Sequence, residues 1–504
     1  MKKIIFLFVF IISMVTYPQE GLLFSRQQQL YLKGNSALIG NNIVSTDATK
    51  PLNDLSGFND NLKLEYIDID DDKTTFSSSQ ANLTIDAPPS KIKYAALYWS
   101  AVYKYDKGVK RELKEKNKIV YKGNDTRSMN VNSILFKQPN GNYQKIEGQI
   151  IFDSYNSKLF EFNKPYLCYA DVTSQLQQAK TINGSYTVAN ILATEGYISG
   201  GASGGWLLYI VYESEKAKPK YFATFKGFVE VYKEPVDIIF NNFKTDESDT
   251  IKSSFCLGTL EGDQKLKTDS CLILDVNQNF VPFYNKLRPP NNFFNGKITL
   301  FDEPYTDRSP NSLNTLGFDL LKMDIPNENN RVISNSTTQT TIRFETKADR
   351  FYLFFVAFET EISPIYLEGK NNIDSILVLD KKEVHPEQTD PSVQIIDSIS
   401  EEKAAIQQKL TIEKIKRLKT ISIPSIPKGY YLVTNVFASK NNTMKWMQEL
   451  EEKGYQPKSY TNPKNGWHYI YLLNDEDPNN IYLKYKELSK LEYFQDIWIL
   501  KINF

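Results

Sequence analysis

The tightest constraint lies in residues 428–504, where after Pro427 the apolar spacing switches between two and 3.6 residues in the order strand, helix, strand, strand, helix, strand. Residues 430–437 alternate as a strand. Asn441 or Asn442 is placed to cap a helix whose Met444, Met447 and Leu450 share a face, and Gly454 ends it. Residues 458–462 read as a second strand, Asn465 and Gly466 as a turn, and residues 467–473 as a third strand. Pro478 opens a second helix carrying Ile481, Tyr485 and Leu488, and residues 496–502 close the pattern as a fourth strand. Such a β-α-β-β-α-β chain predicts a small α+β domain over 429–504, with a four-stranded antiparallel sheet covered by two helices on one face.

Upstream the texture is different. From residue 20 to about 225, and again from 226 to 380, short alternating or apolar runs are separated by Asn, Asp, Gly, Ser and Pro clusters, with little sustained helical period. Residues 95–100, 206–212, 236–240, 297–301, 340–346 and 351–358 all read as strands. With Tyr 31 and Phe 30 against Trp 5, Met 6 and Cys 3, the large residues are those that suit pleated, half-buried surfaces. The prediction is a multidomain, mainly β protein: two β-sandwich-like lobes (20–225 and 226–380), then a linker over 381–428 with a charged, solvated helix and breaks at Pro424 and Pro427.

Met1, Lys2 and Lys3 followed by an apolar run over 4–15 form the n-region and h-region of a secretory signal peptide, with cleavage expected near Gln19. That run falls short of the roughly 20 residues a membrane-crossing helix needs, so export is expected to leave a mature chain without a transmembrane segment, periplasmic or associated with the outer membrane. Lys plus Arg and Asp plus Glu both number 60, so no overall field favours nucleic acid as a partner.

Candidate sites follow from residue types. Cys256 and Cys271 could close a disulfide between neighbouring strands, contributing about 3 kcal/mol, or could stay as two buried thiols. Asp68, Asp70 and Asp72 could offer oxygen ligands to calcium, or form a solvated acidic turn beside Lys73; no other cofactor is expected. His385 and His468 are the only histidines and fall in different predicted segments, so no Ser-His-Asp triad or multi-histidine zinc site is legible. The chain is therefore expected not to be an enzyme.

The run Gly429-Tyr430-Tyr431-Leu432-Val433-Thr434-Asn435-Val436-Phe437-Ala438, with Asn462-Pro463-Lys464-Asn465-Gly466 and Asp496-Ile497-Trp498-Ile499, resembles the SPOR-like domains that end many envelope proteins of gliding bacteria. That resemblance implies binding of peptidoglycan glycan strands on the uncovered face of the sheet. This chain departs from the better-known pattern at Val433, where a polar residue is usual. The face formed by Tyr431, Val433, Asn435, Tyr469 and Tyr471 is thus largely apolar, and it suits a protein partner, a sugar ring or burial under neighbouring chain.

Tyr66-Ile67-Asp68-Ile69-Asp70, Tyr94-Ala95-Ala96-Leu97-Tyr98-Trp99-Ser100, Gly205-Trp206-Leu207-Leu208 and Ser312-Leu313-Asn314-Thr315-Leu316-Gly317 resemble β domains of large surface adhesins from gliding bacteria. Those adhesins usually end in a sorting domain read by the type IX secretion system, in place of which this chain has the SPOR-like domain. Together the resemblances imply a non-enzymatic accessory protein of gliding motility and adhesin export, binding a surface adhesin or other envelope protein. The alternative is a binding protein tethered to peptidoglycan.

Overall fold

The computed structural model describes residues 21–367 except 57, 114–117, 124–126, 157, 159, 248 and 365, and residues 412–503 except 413, 414, 417, 419, 424, 425, 438, 464, 465, 490, 495 and 496. The expected signal peptide over 1–19, His385 and most of the predicted linker lie outside these residues. The chain divides into two compact units, one over residues 20–383 and one within residues 384–504.

In the first unit, and among the described residues, hydrogen bonds connect 11 strands in the order Gln149–Asp153, Pro165–Asp171, Ile92–Val102, Gly204–Glu213, Gly21–Asn42, Pro219–Val231, Phe351–Glu361, Ser253–Leu260, Asp319–Asp324, Ile298–Leu300 and Glu303–Pro304. The strand Gly21–Asn42 joins two halves, because residues 21–33 pair with Pro219–Val231 and residues 34–42 pair with Gly204–Glu213. Those halves pack against each other. The Phe355 ring lies 5.0 Å from Tyr98 and 5.7 Å from Tyr209, and a side chain on Gly258 would collide with Phe354 and press on Leu207.

Each half carries an outer sheet on its other face. Ser78–Leu83, Gly184–Ala189 and Ser133–Lys137 form the centre of one, whose Ser79 Oγ accepts a hydrogen bond from Trp206 Nε1 at 2.9 Å. Val236–Asn241, Gln339–Thr346 and Asp269–Leu274 belong to the other, and Phe240 stacks on Phe358 at 4.6 Å. The two inner layers are therefore covered on both faces. Their central strands, Gly204–Glu213 and Phe351–Glu361, are buried at nearly every position, which is why they read as unbroken apolar runs rather than as alternation.

The unit is mainly β, as expected, but its two lobes are not successive stretches of chain. The anticipated cut at 225/226 falls inside Pro219–Val231, and the first strand serves both halves. Arg308–Ser309, far along the sequence, pairs with Ser78–Leu83 and so completes the outer sheet of the first half.

The C-terminal unit contains Gly429–Phe437, a helix Lys440–Glu452, Lys458–Thr461, His468–Asp475, a helix Pro478–Leu488 and Trp498–Ile502, in the predicted order. Its sheet runs Thr420–Ile421, Trp498–Ile502, Gly429–Phe437, His468–Asp475, Lys458–Thr461. Leu450, Ile481 and Leu488 from the helices pack on Tyr430, Leu432 and Ile470, fixing one face as core. Helix starts differ in detail from expectation. The first helix is capped at Ser439 rather than Asn441 or Asn442, and Trp446 and Met447 pack on the core while Met444 is exposed. Asp477 caps the second, its carboxylate accepting the Asn479 backbone N–H at 2.9 Å just before Pro478.

Candidate functional site

Period-two alternation puts Tyr431 and Val433 on the sheet face opposite the helices, since Tyr430 and Leu432 point into the helix-side core. Register then adds cross-strand neighbours: Val433 stands opposite Tyr471 and Trp498, Tyr431 opposite Leu500, and Tyr460 opposite Tyr469. The Tyr431 ring lies 5.0 Å from Tyr471 and 6.1 Å from Tyr460, and Tyr460 stacks on Tyr469 at 4.9 Å with planes 2° apart. With Trp498, this gives one aromatic patch across four strands.

Within it, Tyr431 and Val433 are themselves buried, while Tyr469, Tyr471 and Trp498 are half-buried. The Tyr431 hydroxyl donates to the Pro427 carbonyl at 2.7 Å, and burial pushes its phenol up to about 12. Tyr460 is buried with no hydrogen-bond partner for its hydroxyl, so burial raises its phenol strongly.

One expected member is displaced. A bulge between Val433 and Asn435 shifts the pairing so that Asn435 stands opposite Ile470, a helix-side core residue, and Val436 takes the place opposite Tyr469. Thr434 lies at the bulge and faces the first helix, accepting a hydrogen bond from Trp446 Nε1 at 3.1 Å. Strict alternation across residues 431–435 could not anticipate this. Tyr460 and Trp498 were absent from the expected set, although counting the hairpin register outward from the turn after Thr461 would have placed Tyr460 beside Tyr469.

The acidic loop does not gather its carboxylates. Asp68 accepts from Ser78 Oγ at 2.9 Å, Asp70 from Tyr143 OH at 2.5 Å and Thr75 Oγ1 at 3.1 Å, and Asp72 from Thr74 at 2.9 Å. Each carboxylate thus binds hydroxyl or backbone donors of its own surroundings. Among the described residues no three His, Cys, Asp or Glu side chains come together in a group suited to a metal ion.

Cys256 and Cys271 are not joined, and both thiols are free and buried. Alternation along Ser253–Leu260 sends Phe255 and Leu257 toward the outer sheet that holds Cys271, and Cys256 toward the opposite face, between the two halves. The intervening inner layer keeps them apart. Burial raises both thiols above their ordinary range.

Two polar clusters were not legible in the sequence. In the first, Glu359 accepts from Ser36 Oγ at 2.6 Å and Ser254 Oγ at 2.8 Å, with Lys322 Nζ at 3.3 Å and Lys220 Nζ at 3.5 Å. Burial alone would push this carboxyl up, but the two ammonium groups and two hydroxyls hold it at about 2. In the second, burial raises Asp269 to about 7 and Asp349 to about 8, each carboxyl also feeling a neighbouring one. With exposures of 0% and 4%, these two carboxyls are enclosed by protein rather than presented to a substrate.

No family model matches the chain, and no curated protein matches it. Among solved structures, a likeness is found to wild-type BuGH86 in complex with neoagarooctaose, at 11% identity and TM-score 0.17, covering 53% of this chain and 33% of that one. Another is to PNGase F, at 12% identity and TM-score 0.15, covering 64% of this chain and 96% of that one. The chain therefore spans about a third of the length of the first of these.

Proposed function

We propose that this protein is a non-enzymatic accessory protein of the bacterial cell envelope, exported and then acting through protein-protein contacts made by its C-terminal domain. The observation that carries this reading is the aromatic patch of Tyr431, Tyr460, Tyr469, Tyr471 and Trp498 around Val433 and Val436 on the helix-free sheet face. Aromatic side chains set among aliphatic ones gain most from desolvation against another apolar surface. A glycan would need more hydrogen-bonding groups around the rings, and with Asn435 turned to the side of Ile470 the patch holds few beyond the tyrosine hydroxyls. Gliding motility and adhesin export is the setting that the SPOR-like and adhesin-like resemblances imply, with a surface adhesin or another envelope protein as the partner.

Replacing the half-buried Tyr469 and Tyr471 with alanine in the full chain tests this. A partner captured by cross-linking in the native envelope should be lost, while sedimentation with purified peptidoglycan stays weak for both forms. Strong binding of the unaltered protein to purified sacculi, abolished by the two substitutions, would replace this reading with the peptidoglycan tether.

A further inference from the structure

Where the two halves of the N-terminal unit diverge, the inner layer of the second half changes character on the face that had been packed against the first. Along four neighbouring strands an apolar residue is followed two positions on by a polar one: Ala357 by Glu359, Leu320 by Lys322, Cys256 by Ser254 read backwards, and Phe222 by Lys220 read backwards. Above these polar positions lies an open cavity of about 470 Å3, lined on its other sides by Asn35–Ile39 of the first strand, by residues 82–85 and by Leu300, Phe301, Tyr305 and Asp307. Its size falls in the range of small-ligand sites, about 300–1,000 Å3.

The floor is pre-organised. Lys322 Nζ donates to Ser36 O at 2.8 Å and Ser36 Oγ at 2.7 Å besides pairing with Glu359, so the buried charges hold one another in place. The walls keep capacity to spare. Asn35 accepts from Lys220 Nζ at 3.0 Å through Oδ1 and its amide also hydrogen-bonds Tyr212, which leaves one of its two N–H groups for a ligand, and exposed Asp324 accepts no side-chain hydrogen bond among the described residues. Phe301 is 46% exposed at the mouth, its ring 5.8 Å from Lys322 Nζ, beside the apolar Leu300.

Donors on the first strand, a carboxylate acceptor on the strand Asp319–Asp324 and an open aromatic ring are the complement of a ring that carries hydroxyls on its edge and C–H groups on its face. We propose that this cavity binds one or two rings of a neutral carbohydrate, with Asp324, Asn35 and Lys220 hydrogen-bonding the hydroxyls and Phe301 stacking on the ring. An anion is disfavoured because Glu359 already neutralises the lysines and Asp324 stands next to them, and a cation is disfavoured by Lys220 and Lys322 themselves. The site is independent of the aromatic patch on the C-terminal domain.

The test is to apply the full chain to an array of neutral, sialylated and sulfated oligosaccharides, with Asp324→Asn, Phe301→Ala and Tyr469→Ala variants alongside. Asp324 and Phe301 are exposed, and circular dichroism checks that each variant keeps its fold. Neutral glycans should be retained, with affinity reduced about tenfold by Asp324→Asn, the scale of one charged hydrogen bond, and about tenfold by Phe301→Ala, the scale of one lost ring stack, and unchanged by Tyr469→Ala. The proposal is overturned if no neutral glycan is retained, if only acidic ones are, or if binding survives both pocket substitutions and is lost with Tyr469→Ala. A melting-temperature shift with the zwitterionic dipeptide Ala-Ala, but with none of the neutral sugars, would overturn it in favour of a peptide-end site.

Discussion

The inner layers of the N-terminal unit and the sheet of the C-terminal unit are built from similar residues but differ in cover. Strand Phe351–Glu361 has one core on each face, and every residue in it is buried. Strand Gly429–Phe437 has two helices on one face and the tyrosine patch on the other. A strand enclosed twice depends on how well its rings interlock, and each contact removed leaves a void that nothing can fill. A strand with helices on one face only can border rings that stay partly open, as Tyr469 and Tyr471 do beside buried Tyr431 and Val433.

Truncation of a ring in each sheet breaks the comparison most directly. Phe358→Ala removes a ring stacked on Phe240 and close to Tyr221 and Phe243, and should cost about 3–5 kcal/mol in denaturant unfolding. The same change at half-buried Tyr469 should cost clearly less, and equal losses would mean that the C-terminal patch is a second core.

Acid and base titration should sharpen the contrast within the N-terminal unit. Glu359 is held at about 2 against its ordinary 4.5, so its stabilisation, about 3 kcal/mol, is complete above pH 4.5 and lost as pH falls through 2. Asp269 and Asp349 are raised from 3.8 to about 7 and about 8, so their protonated forms favour the folded state and that contribution fades as pH rises through 7–8. Thermal unfolding should therefore show greatest stability on the acid side of neutrality, near pH 4 to 5. Asp269→Asn with Asp349→Asn should flatten the alkaline arm and leave the acid arm in place; an unchanged alkaline arm would refute the assignment.

Smaller effects separate two tyrosines of the patch. Tyr431→Phe loses a hydrogen bond to the Pro427 carbonyl and should destabilise by about 1 kcal/mol, whereas Tyr460→Phe removes a buried hydroxyl that has no partner and should be neutral or stabilising. The smallest effect expected is that of calcium. With Asp68, Asp70 and Asp72 engaged by separate donors, its addition should leave the melting temperature unchanged, and a chelator-reversible rise would establish a site.

What the sequence made legible follows from the range of the forces involved. The order of elements over 429–504 rests on local signals, Gly454, Pro478 and alternation, so it could be read directly. Asn435 was misplaced because a bulge is a property of two paired strands, not of one. Cys256 and Cys271 looked joinable because sequence proximity does not show that Ser253–Leu260 turns its alternate faces to two different cores. The Glu359 network was invisible for the same reason. Ser36, Lys220, Ser254, Lys322 and Glu359 come from five strands, and no spacing along the chain announces them.

The shared first strand has a kinetic consequence. Residues 21–33 and 34–42 both wait for partners some 160–210 positions away, and one of those partners, Pro219–Val231, waits in turn for Phe351–Glu361. Contacts of such high sequence separation form late and slowly, because the chain must close a long loop before any pairing rewards it. Until Gly204–Val231 is available, the first strand is an unpaired edge able to recruit other strands, so the interval between synthesis and sheet closure is when this chain is most prone to aggregate and most dependent on being kept unfolded.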